Sequence, residues 1–179
     1  LEVHPHWVAV KIDLRNAYNE LKRAMLLERL DAQPHLRALV PLYWANYEVE
    51  SDIYLPTHGL ALSDFSSAEG LQQGDPAASA GFCVSVHPEV CSLDEELQRF
   101  GGFAKFDMDD GYAVGPADAV FAAVQNFGES VRALGLELQP TKCSCFSPST
   151  DLRQHHARPA NLPLGCLQLA SGGYAYGIE

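Results

Sequence analysis

Apolar and polar positions along this chain fall into runs of different period, and the changes of period divide it into elements. Val8-Ala9-Val10-Lys11-Ile12-Asp13 is an apolar run that ends on an acid and reads as a buried strand. From Ala17 to Leu30, apolar residues at Leu21, Met25, Leu26, Leu27 and Leu30 make a helical stripe. A second helix is expected from His35 to Tyr47, started after Pro34. Glu48 to Leu62 alternates loosely, as a short hairpin does, and Ser66 to Pro76, with Gly70 and Gly74, reads as a loop. Ala77 to Phe100 is helical in pattern, with Pro88 expected to kink or interrupt it. Phe103 to Val114 reads as a hairpin, and Ala117 to Leu134 as a helix with a small-residue face. Leu136-Glu137-Leu138 is a short strand ended by Pro140, and Leu162 to Ile178 a Gly-rich hairpin.

Helices set between strands that can pair antiparallel predict an α+β fold, an antiparallel sheet with helices packed on one face. A length of 179 residues, 47% of them apolar, suits a single domain over residues 1–179 with a sizeable core. In such a fold the end of the first strand, Asp13, can come next to the tip of the 103–114 hairpin, because neighbouring strands lie about 5 Å apart.

That hairpin carries Phe106-Asp107-Met108-Asp109-Asp110-Gly111. Asp-Gly between β-prone runs is a hairpin signal, and it puts Asp109 and Asp110 at the tip. Adjacent carboxylates repel unless a proton or a cation lies between them. A hard divalent cation such as Mg²⁺ is the usual solution. Taken alone, the segment reads as a solvated acidic turn before it reads as a metal site. Two further segments carry chemistry. In Asp13-Leu14-Arg15-Asn16-Ala17-Tyr18-Asn19 an acid at a strand end precedes an aromatic at a helix start; Asp13 or Asn16 as a helix cap is an equally good account. In Glu69-Gly70-Leu71-Gln72-Gln73-Gly74-Asp75-Pro76 the glycines let backbone approach a ligand, and Gln73 offers both a donor and an acceptor. A surface loop whose Asp75 caps the next helix, with Pro76 at its first position, explains the same residues.

The net charge of −11 is uneven, with a net of −13 between residues 41 and 140. That is the wrong sign for a free-standing nucleic-acid binder, so any such role requires metal ions or basic segments elsewhere. No apolar run reaches membrane-spanning length and no secretory leader is visible, so an intracellular protein, cytoplasmic or nuclear, is expected. Five cysteines (Cys83, Cys91, Cys143, Cys145 and Cys166) without framework spacing suit free thiols in a reducing compartment. Cys143 and Cys145 followed by His155 and His156 lack zinc-site spacing and read as ordinary strand and loop residues. His87, in the long helix, reads as packed or half-exposed.

The three chemistry-bearing segments stand in a fixed order, and together they resemble the reverse transcriptase palm. Asp13 to Asn19 looks like its first motif, Gly70 to Pro76 like the G-V-Q-Q-G-D-P form of the second, and Met108-Asp109-Asp110-Gly111 like the x-D-D box. Gly135-Leu136-Glu137-Leu138-Gln139-Pro140-Thr141-Lys142-Cys143 is similar to the G-L-x-L-N-P-x-K-C segment that follows, and Leu164-Gly165-Cys166 to the primer-grip hairpin. The spelling is closest to retroelement enzymes of the non-LTR or retron-like kind, and the resemblance covers roughly residues 7 to 145. It implies template-directed DNA synthesis on RNA or DNA with two Mg²⁺ or Mn²⁺ ions. Asp13 and Asp109 would be the principal ligands, Asp110 their support, and the Leu14 carbonyl would complete the site. Tyr18 would lie under the sugar and select deoxynucleotides, Gln73 and Gly74 would line the incoming nucleoside triphosphate, and Lys142 would sit near the pyrophosphate leaving group. The implied partners are an RNA/DNA template-primer and deoxynucleoside triphosphates, with no membrane.

Some features depart from the family pattern. Asp107 stands where the x-D-D box usually has an aromatic, and Ala77-Ala78-Ser79-Ala80 where bulkier residues are usual. The chain carries part of the fingers and no thumb, so it reads as a palm from a longer protein, weak or inactive by itself. Two other readings stand beside it: a degenerate, catalytically silent retroelement remnant, and a non-catalytic module whose acidic patch binds a basic partner. A nucleotide cyclase also uses paired acids, but the Gln-Gln-Gly-Asp-Pro segment argues against one.

Overall fold

A computed structural model describes residues 4–57, 60–147, 165–168 and 174–177. The chain forms two compact units, one of Leu1–Arg15 with Val86–Glu179 and the other of Asn16–Ser85.

The first unit is built on a six-stranded antiparallel sheet. Its strands are β1 (Trp7–Asp13), β4 (Phe103–Asp107), β5 (Asp110–Pro116), β6 (Ser144–Ser147), β7 (Gly165–Gln168) and β8 (Tyr174–Gly177), in the order β4-β5-β1-β6-β8-β7. The alternation read from the sequence is real in β1, where Val8, Val10 and Ile12 are fully buried and the residues between them are not. Helix α5 (Ala117–Ser130) packs against β1 and β5 and buries Val120, Phe121, Val124 and Phe127, spaced three and four apart as one face of a helix requires. A 3₁₀ turn, Val131–Leu134, continues it. The predicted α+β class, an antiparallel sheet with helices packed against it, is the observed one.

The second unit holds α1 (Ala17–Glu20), α2 (Arg23–Ala32), a 3₁₀ turn at Arg37–Leu39, α3 (Val40–Tyr47) and the hairpin β2 (Ser51–Thr57) and β3 (Leu60–Ser67). Helix α4 (Pro76–Gln98) starts here and runs on into the first unit.

Four expectations are corrected. The helix expected over Ala17–Leu30 breaks at Leu21 and Lys22, which are extended. The Tyr18 and Leu21 carbonyls, which a continuous helix would use internally, accept the Leu71 and Gly70 N–H groups instead, at 2.6 and 3.0 Å. Helix α4 is not interrupted at Pro88, with Val86 and Leu93 buried on either side. Leu136–Leu138 is not a strand but a single bridge, Leu14 to Leu138. The hairpin expected over Glu48–Leu62 extends to Ser67. Of the last hairpin, β7 and β8 are described; Leu164, His155 and His156 lie outside the described residues.

Candidate active site

In the first unit, register fixes the acidic cluster. Asp13 is the direct partner of Asp110 across β1 and β5, and Asp110 is the partner of Asp107 across β5 and β4. Direct partners in an antiparallel sheet share a face, so Asp107, Asp110 and Asp13 form one row. The next row on that face is Lys105, Tyr112 and Lys11. The hairpin loop is not the Asp-Gly pair that the sequence suggested. It is Met108 and Asp109, with Met108 at a φ of 56° and Asp110 already in β5. Gly111 is needed for another reason: a Cβ there would overlap the Phe106 ring, which packs at 5.3 Å from the Phe127 ring of α5.

Two lysines face these carboxylates. Lys11 Nζ lies 3.1 Å from Asp110 Oδ1, and Lys142 Nζ lies 3.8 Å from Asp13 Oδ1. The hydrogen bond to Asp110, and then its charge, hold the Lys11 ammonium above its usual range. Asp13 is the more sheltered acid, its side chain 15% exposed against 56% for Asp110. Its backbone is tied down as well: the Asp13 carbonyl accepts the Gln139 N–H at 2.8 Å, and the Cys143 thiol at 3.7 Å. The Arg15 N–H donates to the Glu137 carbonyl at 2.8 Å. These bonds flank Leu14 and leave its own carbonyl out of the bridge. Burial pushes the Cys143 thiol up and the Cys145 thiol to about 12, so both are protonated at neutral pH, as ordinary core residues are.

The donor set of Asp13, Asp109, Asp110 and the Leu14 carbonyl is all oxygen, the chemistry a hard divalent cation takes. Facing carboxylates on neighbouring strands suit such an ion. The full convergence expected of three acids is not reached: among the described residues, no three His, Cys, Asp or Glu side chains group closely enough to hold a metal ion. Lys11 was not foreseen as a partner of the acidic cluster. Its place two residues before Asp13, on the same strand face, was the available signal.

Tyr18, Gln73 and Gly74 belong to the second unit. The Tyr18 ring stacks on Phe82 at 5.0 Å and its hydroxyl donates to Ser79 Oγ at 3.2 Å, which fixes the ring's orientation. Gln73 is exposed in the loop before α4. Gly74 has a φ of 94° with open space around it, so its requirement is conformational. Gly70 is needed twice over, by a φ of 76° and by an approach that leaves no room for a Cβ beside the Asn19 backbone. Asp75 does the capping read from the sequence, accepting the Ala77 N–H at 2.8 Å, and it also accepts the Tyr47 hydroxyl.

Arg23 is the residue that sequence reasoning missed in this unit. It occupies the buried stripe of α2 with Leu26 and Leu30. Its guanidinium donates to the Gly70 carbonyl at 2.9 Å, the Ser67 carbonyl at 2.9 Å and Ser67 Oγ at 2.8 Å, and it lies over the Tyr47 ring. It thereby fastens the start of the 70–76 loop. The small residues that open α4 also have a use, since Tyr43 packs where a Gly81 side chain would stand and donates to the Ala77 carbonyl at 2.7 Å.

Comparison with known proteins gives a fold. No family model matches the chain, and no curated protein does. Among solved structures, apo telomerase from Candida tropicalis superposes with a TM-score of 0.61 at 11% identity, over 78% of this chain and 28% of that one. Telomerase from Candida albicans, in complex with a TWJ fragment of telomeric RNA, gives 0.53 at 14% identity over 82% of this chain and 28% of that one. The Candida tropicalis enzyme with such a fragment gives 0.57 at 11% identity, over 76% and 25%. The fold is of the reverse transcriptase type. The chain spans about a quarter of the length of these structures. No helix among the described residues is long and apolar enough to cross a membrane.

Proposed function

We propose that this chain is the catalytic core of a template-directed DNA polymerase, a retroelement reverse transcriptase of the non-LTR or retron-like kind, and that it works as part of a longer protein. The observation that carries the reading is the pairing of Asp13 with Asp110 at the end of β1, with Lys142 3.8 Å from Asp13. These residues come from three separate motifs and meet at one strand end.

Asp13, Asp109 and Asp110, with the Leu14 carbonyl, would hold divalent cations (Mg²⁺ or Mn²⁺), which when bound lower the cost of charge on the attacking and leaving oxygens of an in-line displacement. The chain's own residues do the remaining work. Lys142, kept beside Asp13, carries a proton to offer the pyrophosphate leaving group. Tyr18, its ring fixed by Phe82 and Ser79, excludes a ribose 2′-hydroxyl. Gln73 and Gly74 border the incoming deoxynucleoside triphosphate, and an RNA or DNA template-primer is the second substrate.

The test is deoxynucleotide incorporation on an RNA template by the chain joined to its flanking coding sequence. Incorporation should require Mg²⁺ and vanish in Asp109→Ala; synthesis that survives this change removes Asp109 from the mechanism. A second reading, a catalytically silent domain, is favoured by Asp107 in the acidic row and by the incomplete convergence of three acids. Mn²⁺ titration separates the two. Saturable binding lost in Asp13→Asn supports the polymerase, and its absence in the unaltered chain supports the silent domain.

A further inference from the structure

In the second unit, Gln73 and Gly74 stand at the tip of a four-residue turn. The Asp75 N–H closes it on the Gln72 carbonyl at 3.1 Å, with Gly74 third in the turn at a φ of 94°. Both tip residues are exposed, so the turn is held from its base. One buried group meets both ends of that base. Tyr47, the last residue of α3, is 2% exposed. Its hydroxyl donates to Asp75 Oδ2, and the same oxygen takes the Gln72 backbone N–H. Asp75 Oδ1 stays on the Ala77 N–H at the start of α4. The ring is steadied in turn by Arg23, whose guanidinium lies 5.4 Å from its centroid and donates to the Tyr47 carbonyl at 3.5 Å.

We propose that Tyr47 is a positioning residue for nucleotide capture, its hydroxyl clasping the base of the Gln72–Asp75 turn so that Gln73 and Gly74 stand where a deoxynucleoside triphosphate meets them. The inference rests on the polymerase reading above, which makes Gln73 and Gly74 the border of that substrate. A phenol both donates and accepts, so it joins a backbone donor to a carboxylate acceptor; a Phe in the same packing cannot. A buried hydroxyl costs free energy unless it is bonded, so the ring's packing alone does not account for a tyrosine here. The bond to the carboxylate is of the stronger, charge-assisted class. Burial, and then that bond, push the hydroxyl up to about 12, so the donor proton is present throughout the neutral range. A substrate that binds only one arrangement of a turn loses apparent affinity in proportion to the time the turn spends elsewhere. Tyr47 thus acts through the turn and does not itself meet the nucleotide.

Steady-state incorporation of deoxynucleotides by the chain joined to its flanking coding sequence tests this. Tyr47→Phe keeps the buried ring and removes the clasp. The KM for the incoming deoxynucleoside triphosphate should rise about three- to tenfold with kcat held within about twofold, as for a turn in its competent arrangement about a third to a tenth of the time. Asp75→Ser keeps a cap for Ala77 but stops one bond short of Tyr47. It should raise KM alike, and the double variant should raise it no further. Gln73→Ala should cost less in Tyr47→Phe than in the parent, because Tyr47 acts through that residue. An unchanged KM in Tyr47→Phe, or a fall in kcat alone, overturns the proposal; so do fully additive costs with Gln73→Ala. Hydrogen exchange of the 179-residue chain gives a reading that needs no activity. The Gln72 and Asp75 amides should exchange faster in Tyr47→Phe, while those in the middle of α2 keep the parent's rates. Acceleration throughout both elements would make Tyr47 a general stabiliser and refute the positioning role. No incorporation by the parent removes the polymerase reading and the proposal with it. Incorporation that vanishes in Asp109→Ala, with KM unchanged in Tyr47→Phe, overturns the role of Tyr47 alone.

Discussion

Asp13 and Asp110 are direct partners across β1 and β5, and Asp107 extends their row into β4. Three like charges on one face of a sheet are unfavourable unless answered, and direct like-charge pairs oppose pairing. The row of Lys105, Tyr112 and Lys11 beside them supplies part of the answer. Asp107 has no counterpart in the chemistry proposed for Asp13 and Asp109, so its charge is the one to remove. Asp107→Asn should stabilise the metal-free chain by about 0.2–1 kcal/mol. The gain should shrink as salt is added, because these groups are exposed and screening is effective. Urea denaturation at low and high ionic strength measures both. A loss of stability at low salt would mean that Asp107 holds the hairpin through something other than its charge.

Gly111 and Phe106 test a different idea, that the glycine after the acidic pair is a packing residue and not a turn residue. Gly111 is the cross-strand partner of Phe106 and its missing Cβ makes room for that ring. Gly111→Ala should cost about 1–3 kcal/mol as an overpacked site. Combining it with Phe106→Leu should return part of the loss, since the two substitutions share one contact. Purely additive costs in denaturation would show that the ring and the glycine are independent.

Arg23 makes the corresponding prediction for the second unit. Its guanidinium satisfies three carbonyls, of Gly70, Ser67 and Tyr47, and the Ser67 hydroxyl in a buried setting, so Arg23→Leu leaves acceptors without donors. A loss of about 2–4 kcal/mol is expected by denaturation, with protease cleavage appearing first in the 66–76 segment. Arg23→Leu that unfolds no more easily than the parent would remove Arg23 from the support of that loop.

These residues also show what a sequence can and cannot carry. Strand β1, helix α5 and the hairpin around Asp109 were legible because periodicity reports burial directly, one face at a time. The nearness of Asp13 to the hairpin followed from strand adjacency. The break at Leu21 was not legible, because it is caused by Gly70 and Leu71, some fifty residues away, taking carbonyls that local propensity assigns to a helix. Arg23 was hidden for the same reason: within α2 it reads as one more exposed basic residue, and only the distant loop gives it buried acceptors. The Asp-Gly signal failed because a glycine demanded by a neighbouring ring is indistinguishable, in sequence, from one demanded by a turn.

Alkaline pH should loosen both units, through different groups. Burial first, and then the hydrogen bond to Asp75, push the Tyr47 hydroxyl from 10.0 to about 12, and burial pushes Cys145 from 9.0 to about 12. Each is an acid whose proton is held more tightly in the folded chain. Their contribution is whole below the unfolded pKa and is lost as pH rises toward the folded one. Stability should therefore fall from about pH 9 through Cys145 and from about pH 10 through Tyr47. Cys145→Ala should flatten the earlier part of the fall, and Tyr47→Phe the later part. Denaturation midpoints across this range check both, and curves that keep the parent's slope in either variant would assign the loss to other groups.

Lys11 gives the most direct handle on the acidic cluster. Its ammonium stands 3.1 Å from Asp110, where it neutralises charge that a divalent cation would otherwise meet. A cation approaching Asp13 and Asp110 thus faces Lys11 as a competitor for one carboxylate and as a like charge. At a separation of about 5 Å in a high-dielectric setting, a unit charge repels a divalent ion by about 1–2 kcal/mol, less with salt. Lys11→Met, which keeps the aliphatic stem and removes the charge, should therefore tighten Mn²⁺ binding by about three- to tenfold at low salt. Lys142→Met should act in the same direction but less, because that ammonium is 3.8 Å from its acid and its side chain is 65% exposed. Isothermal titration with Mn²⁺ measures the ratio. Weaker binding in Lys11→Met would give Lys11 the opposite role, that of holding Asp110 in the orientation a metal needs.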